Sequence, residues 1–180
     1  MTVVRRATPE DAEELLRLRQ VMIDSMFANG SAAAIESDTR WHAESLVVVR
    51  ARLAERDGNF AAFVIDRPDR PGQPGRPGKP EQPGPPEQPR KLAALVVGTL
   101  DYRIGRAGNP RGVVGQVFSV ATDPDQRRRG YARACMEVLL DWFRERGAGS
   151  VDLNASAEAE PLYASLGFVR KPDPSMRLSL

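Results

Sequence analysis

The chain has 180 residues, a net charge of +2, one cysteine and one histidine. That length suits one domain with a sizeable core, and so small a charge gives no global field for nucleic acid or a membrane surface. A lone cysteine excludes an internal disulfide, and His42 as sole histidine excludes a His-rich metal site or a Ser-His-Asp triad.

Residues 2–6 read as a short first strand. Thr8-Pro9-Glu10-Asp11 is a helix start, with Thr8 as N-cap, Pro9 at the first helical position and Asp11 reaching back. Leu15, Leu18, Met22 and Met26 carry the stripe expected to be buried, and Asn29-Gly30-Ser31 marks a break. A second helix is expected from about Thr39 to Glu55, capped by Asp38 and stopped near Gly58. Phe60 to Ile65 reads as the next strand. Met1 to Arg6 is not a signal peptide, and no run of roughly 18 apolar residues occurs, so a cytoplasmic chain is expected.

Residues 67–90 differ from the rest: proline falls at every third position from Pro68 to Pro89, with glycine at 72, 75, 78 and 84. Glu81 and Glu87 interrupt the glycine series, which argues against a collagen-like triple helix. With almost nothing apolar to bury, the stretch is expected to be a solvated, disordered insertion in the hairpin between strands 60–66 and 92–103. A ligand for a proline-binding partner stays open as its role.

Leu92 to Leu100 is nearly all apolar, as a strand in the middle of a sheet would be. A turn over Gly105 to Gly112 leads into a strand ending at Thr122, closed by Asp123-Pro124. Beyond it, Ala132, Cys135, Met136, Leu139 and Phe143 fall on one side of a helical spacing, and Arg133, Glu137, Asp141 and Arg144 on the other. Cys135 therefore belongs to the core, and Gly147 ends the helix. Ser150 to Asn154 is a strand, Glu158 to Leu166 a short helix, Gly167 to Arg170 a return to the sheet, and Met176 to Leu180 a closing strand.

The strand-to-helix turn holds the most informative residues. Arg127, Arg128, Arg129 and Arg133 crowd a helix N-terminus, where cations are disfavoured by ~0.3–1 kcal/mol each when exposed. Free N–H groups and a glycine without Cβ, Gly130, make such a turn an anion site; a merely solvated basic turn is the alternative.

Arg127-x-x-Gly130-x-Ala132 after a strand, followed by Leu162-Tyr163-Ala164-Ser165-Leu166-Gly167-Phe168, resembles the GNAT N-acetyltransferase superfamily. The first matches its Q/R-x-x-G-x-G/A pyrophosphate loop and the second its L-Y-x-x-L-G-F segment. Residues 2–66 and 91–180 follow the family's order of elements, and 113–169 carry the specific motifs. The resemblance implies an α/β fold: a mixed, mostly antiparallel sheet, flanked by helices on both faces and splayed at its central strands. Residues 1–180 would form a single N-acetyltransferase domain, with 67–90 inserted in it.

It also implies an acetyl-CoA-dependent transfer to a primary amine by direct attack on the thioester, without a metal. Main-chain groups of Val120, Ala121 and Thr122 would pair with the pantetheine arm, and the Val120 amide would steady the oxyanion. The pyrophosphate would lie on Arg127, Arg128, Arg129, Gly130, Tyr131, Ala132 and Arg133, and Tyr163 would protonate the departing thiolate. A core tyrosine is the other reading of Tyr163. Ser156 stands where the family often has an Asn that touches the cofactor. Gln116 replaces the Glu that often acts as base, leaving Asp101, Glu36, Glu158 and Glu160 as candidates through water. The acceptor, a small-molecule or peptide amine, should border residues 27–40, with Phe27 and Trp41 as candidate lining or simple helix packing. A homodimer stays open. A non-catalytic acyl-CoA-binding module and an interaction protein using the proline tract are the alternatives.

Overall fold

The computed structural model describes residues 3–28, 41–68, 91–172, 175, 176 and 178. The break at 29–31, the Asp38 cap, Glu36, the side chains of Met26 and Phe27, and most of the proline tract lie outside them. Five strands pair in sequence order: β1 (Val4–Arg6), β2 (Phe60–Asp66), β3 (Leu92–Tyr102), β4 (Val113–Thr122) and β5 (Ser150–Leu153). Neighbours are antiparallel except β4 and β5, which run parallel. The helices are α1 (Ala12–Ala28), α2 (Trp41–Ala54), α3 (Tyr131–Glu145) and α4 (Glu160–Ser165).

A 3-10 turn over Pro9–Asp11 opens α1. Asp11 accepts from the Thr8 amide at 2.8 Å and from Arg5 at 2.7 and 2.8 Å, and Arg5 also holds Asp66 at 2.6 Å. One guanidinium thus joins β1, the start of α1 and the end of β2.

The sheet buries both faces. Leu139, Met136, Cys135 and Phe143 of α3 pack with Val96, Leu100, Val113 and Val117 on one side. Leu15 and Leu18 of α1 and Leu53 of α2 pack with Val64, Leu95 and Val97 on the other. The Phe143 ring lies directly on the sheet: a Cβ added to Gly98 would stand 2.7 Å from it, and one added to Gly115 2.9 Å. A larger residue at either position would push α3 off the strands.

β4 carries the irregularity that shapes the site. Val97 pairs with Ser119 but Gly98 with Val117, so Phe118 is an extra residue in β4, a β-bulge. On the other edge, β5 pairs with β4 only from Val114 to Val117. Residues 118–122 therefore continue with β3 alone beside them, which is the expected splay.

The end of the chain departs from the sequence reading. Residues 168–170 form no strand, and α4 begins at Glu160 rather than Glu158. Gly167, at φ +92, turns the chain so that the Phe168 amide donates to the Tyr163 carbonyl at 3.0 Å. Phe168 folds back onto the Tyr163 ring, Val169 is left 87% exposed, and Arg170 is drawn to Glu160 at 2.5 Å. Of the expected closing strand, Met176 and Leu178 lie in no strand and are exposed. Arg177, Ser179 and Leu180 lie outside the described residues.

Candidate active site

The site begins with the phase of β4. Asp123 donates its amide to the Ala93 carbonyl at 2.9 Å, which fixes the hydrogen-bonding phase of this strand pair. Asp123, Ala121 and Ser119 thus turn their backbone groups toward β3. Thr122 and Val120 turn theirs the opposite way, into the gap that β5 leaves after Val117. Among the described residues no strand lies opposite the Val120 N–H and C=O there, while the Thr122 carbonyl accepts from Arg127 Nε at 3.4 Å.

A 3-10 turn over Pro124–Gln126 follows, and then the basic loop. Arg128 at φ +63 and Gly130 at φ +78 both adopt left-handed backbone, which bends the chain into α3 within a few residues. Ala134 donates to the Gly130 carbonyl at 3.0 Å, so the N–H groups of Tyr131, Ala132 and Arg133 precede the first intrahelical donor and have no acceptor within the helix. A Cβ added to Gly130 would meet no other atom within 4 Å, so the space over these donors is open. The four arginines divide. Arg127 reaches Thr122, and Arg133 reaches Ser165 Oγ on α4 at 2.5 Å. Arg128 and Arg129 are exposed and make no ion pair or hydrogen bond among the described residues.

The turn is braced from behind by buried charge. Asp123 accepts from Arg17 of α1 at 3.1 Å and from Arg67 at 3.2 Å, and Arg67 also pairs with Asp125. Arg17 in turn holds Glu14 at 2.8 Å, and Glu14 accepts from the Leu92 amide at 2.9 Å. This brace was not anticipated from the sequence, because its members are scattered over four elements.

Tyr163 sits on α4 at 7% exposure, edge-on to Phe168 with ring centroids 6.0 Å apart. Burial pushes its phenol above the ordinary value of about 10. The hydroxyl has no hydrogen-bond partner among the described residues, and it is not among the sealed polar atoms, which are Gln126 Oε1 and Trp142 Nε1. Ser156 Oγ accepts from the Ala159 amide at 3.3 Å, so it caps the turn leading into α4. Cys135 is fully enclosed and its thiol is pushed up to about 12 by burial, which makes it inert as a nucleophile.

The candidate bases fare differently. Asp101 pairs with Val114, and six steps of ~3.3 Å separate Val114 from Val120, so it stands roughly 20 Å away along the strand. Glu160 is held by Arg170, which keeps its carboxyl below its ordinary value. Gln116 faces Asp152 at 3.4 Å. Glu158 is exposed on the turn before α4.

A cavity of about 110 Å³ lies on the α1/α2 side of the sheet, next to the bulge. Trp41 lines it, as expected, together with Leu15, Leu16, Phe60, Phe118 and Ser119. The bulge turns Phe118 and Ser119 to this same side, and Arg19 donates to Ser119 Oγ at its wall. Among the described residues no cluster of His, Cys, Asp or Glu could hold a metal ion, and no helix is long and apolar enough to cross a membrane.

The N-terminus of α3, open at Gly130, thus follows a stretch of β4 whose outer edge no described strand covers. The acetyltransferase (GNAT) family model matches residues 15–168, and the chain belongs to that family. It is similar to the ribosomal protein bS18 alanine N-acetyltransferase of Escherichia coli (strain K12), 42% identical over 55 residues. That stretch is 29% of this chain and 37% of that enzyme, so the match spans little more than a third of the curated relative's length. Among solved structures, a GCN5-related N-acetyltransferase from Ralstonia eutropha JMP134 has a TM-score of 0.71 at 20% identity, covering 99% of both chains. A predicted acetyltransferase from Clostridium acetobutylicum, crystallised with acetyl-CoA, has 0.73 at 18%, covering 99% of this chain and 96% of that one. These two share its fold.

Proposed function

We propose that this chain transfers an acetyl group from acetyl-CoA to a primary amine, by direct attack of the amine on the thioester. One observation carries the reading: the backbone of Val120 turns into a gap without a described strand partner, and β4 leads from there through one turn into the open N-terminus of α3. The residues present fit acetyl-CoA, since the open space over Gly130 admits a pyrophosphate and the β4 edge admits an amide-bearing arm. Bound there, acetyl-CoA would supply an activated acyl carbon and a thiolate leaving group.

The chain's own groups take the remaining roles. The N–H groups of Tyr131, Ala132 and Arg133, with the guanidinium groups of Arg128 and Arg129, hold the phosphates. Arg127 and Arg133 act more as struts of the loop than as ligands, because both are engaged within the protein. Val120 N–H donates to oxygen as negative charge develops on it, a role typically worth ~3–4 kcal/mol. Tyr163, kept protonated by burial, gives its proton to sulfur. Cys135 is the only cysteine and is buried, which favours direct attack over an acyl-cysteine route. The amine attacks in its neutral form, and the proton its nitrogen sheds as the amide forms leaves through water, because Gln116 offers no base on β4.

The test pairs binding with turnover. Acetyl-CoA at ~100 times its dissociation constant should stabilise the fold by about 2.7 kcal/mol, and a working amine should release free thiol. Gly130→Val puts a branched side chain over the donors and should remove most of the stabilisation. An unchanged thermal shift in that variant would show that the loop does not hold the phosphates.

A further inference from the structure

We propose that the acceptor is a primary amine carrying one compact apolar substituent, which the cavity beside the β4 bulge receives. This rests on the acetyl-transfer reading, because it names the second substrate of the same site. Three observations carry it.

The first is place. Ser119 lines the cavity with its side chain, and the next residue, Val120, turns its amide into the gap beside β4. A molecule seated against Phe118 and Ser119 therefore has one end within reach of the bond to be attacked. The bulge makes this possible, since regular alternation after Val117 would put Phe118 on this side but return Ser119 to the α3 face.

The second is wall chemistry. Leu15, Leu16, Trp41, Phe60 and Phe118 make up most of the wall, with the rings of Phe60 and Phe118 tilted at 6.2 Å, and Arg19, Ser45 and Ser119 supply its polar groups, so the only charge at the wall is a cation. Placing a second ammonium against such walls leaves a charge without water, which costs several kcal/mol. Polyamines and sugars with several amino groups are disfavoured for that reason.

The third is size. The half-open space of about 110 Å³ is somewhat smaller than the ~150 Å³ apolar cavity known to admit benzene, and far below the ~300–1,000 Å³ of sites for drug-sized ligands. A branched aliphatic group or a partly inserted ring fits, and an oligosaccharide does not. The same group can belong to a free amine or to the first residue of a peptide.

The experiment uses the whole protein. Phenethylamine, methylamine and spermidine are titrated with Trp41 emission as the binding readout, Trp142 being distant in the opposite core and serving as a constant background. Thiol release at saturating acetyl-CoA is followed in parallel. Phenethylamine should perturb Trp41 and show kcat/KM at least about tenfold above methylamine, the discrimination one or two buried methylenes supply. Spermidine should be no better than methylamine. Ser45→Phe, which narrows the cavity from α2, should raise KM for phenethylamine about tenfold while leaving methylamine turnover and the acetyl-CoA thermal shift in place. Phe118→Ala should raise it similarly from the other wall. Leucinamide against a leucine-initiated tripeptide tells the free amine from the peptide end. A flat series, or a preference for spermidine, overturns the proposal. A Trp41 response to phenethylamine without any thiol release leaves the cavity's preference standing and overturns the acetyl-transfer reading instead.

Discussion

Tyr163 separates a core residue from a proton donor, and its surroundings argue for both at once. The ring is enclosed against Phe168 and α3, which is why the phenol resists ionisation, while the hydroxyl is left without an internal partner. Burial that raises the pKa keeps the proton on at neutral pH, and loses it only as pH rises past the ordinary range of about 10. Tyr163→Phe keeps the ring and its packing, so acetyl-CoA affinity should hold. Turnover should fall by ~10²–10⁴-fold, and part of that should return with a more acidic thiol leaving group. Steady-state kinetics of both proteins with one working amine decides it: an unaltered kcat would assign the proton to water. The motif around Tyr163 was readable from the sequence, with a core tyrosine as its other reading; what was not readable is that Phe168, expected in a strand, closes over the ring.

At the level of elements, the helix start at Thr8 is where local signals and tertiary charge coincide. Burial alone would push the Asp11 carboxyl up, but the Arg5 guanidinium and the Thr8 amide outweigh it and hold it below its ordinary value. A depressed carboxylate stabilises the fold above its unfolded pKa of about 3.9, and that contribution fades as pH falls through the lower, folded value. Asp11→Asn keeps the acceptor for Thr8 and loses the charge facing Arg5, which still has Asp66. The expected loss is roughly 1–2 kcal/mol at neutral pH, and smaller at about pH 2, well below the unfolded value of about 3.9. Urea unfolding at the two pH values tests this; a gap that stays constant would place the effect in packing. The same pattern of signals explains what could be read from the chain alone. The strand ending at Thr122 was legible, but its bulge was not, because only the fold shows Val117 and Val120, three apart, packing on one face. The strand expected after Gly167 had apolar residues, but the glycine's left-handed turn and the donation to Tyr163 commit that segment to closing α4.

Across the whole molecule, the cavity and the basic loop share one brace. Asp123 joins α1, which forms a wall of the cavity, to the turn that leads into the anion loop, and Arg67 ties in the root of the β2–β3 hairpin. No periodicity announces such a brace, since its charges come from distant stretches and meet only in the folded chain. It also sets how the proline tract should be cut. Arg67 donates its amide to the Lys91 carbonyl at 2.8 Å, so the hairpin is closed before the tract begins. We expect a chain lacking 69–90, with Pro68 joined to Lys91 through a short glycine-containing turn, to keep the sheet and the brace intact. Shortening the connection changes closure entropy only weakly, so stability should rise by no more than about 1–2 kcal/mol. The acetyl-CoA thermal shift and kcat should match the full-length values, because the cavity and the loop over Gly130 draw on residues outside the tract. Thermal melts with and without acetyl-CoA, alongside thiol release, measure all three. A shortened protein that melts normally but no longer gains stability from acetyl-CoA would make the tract part of the cofactor site.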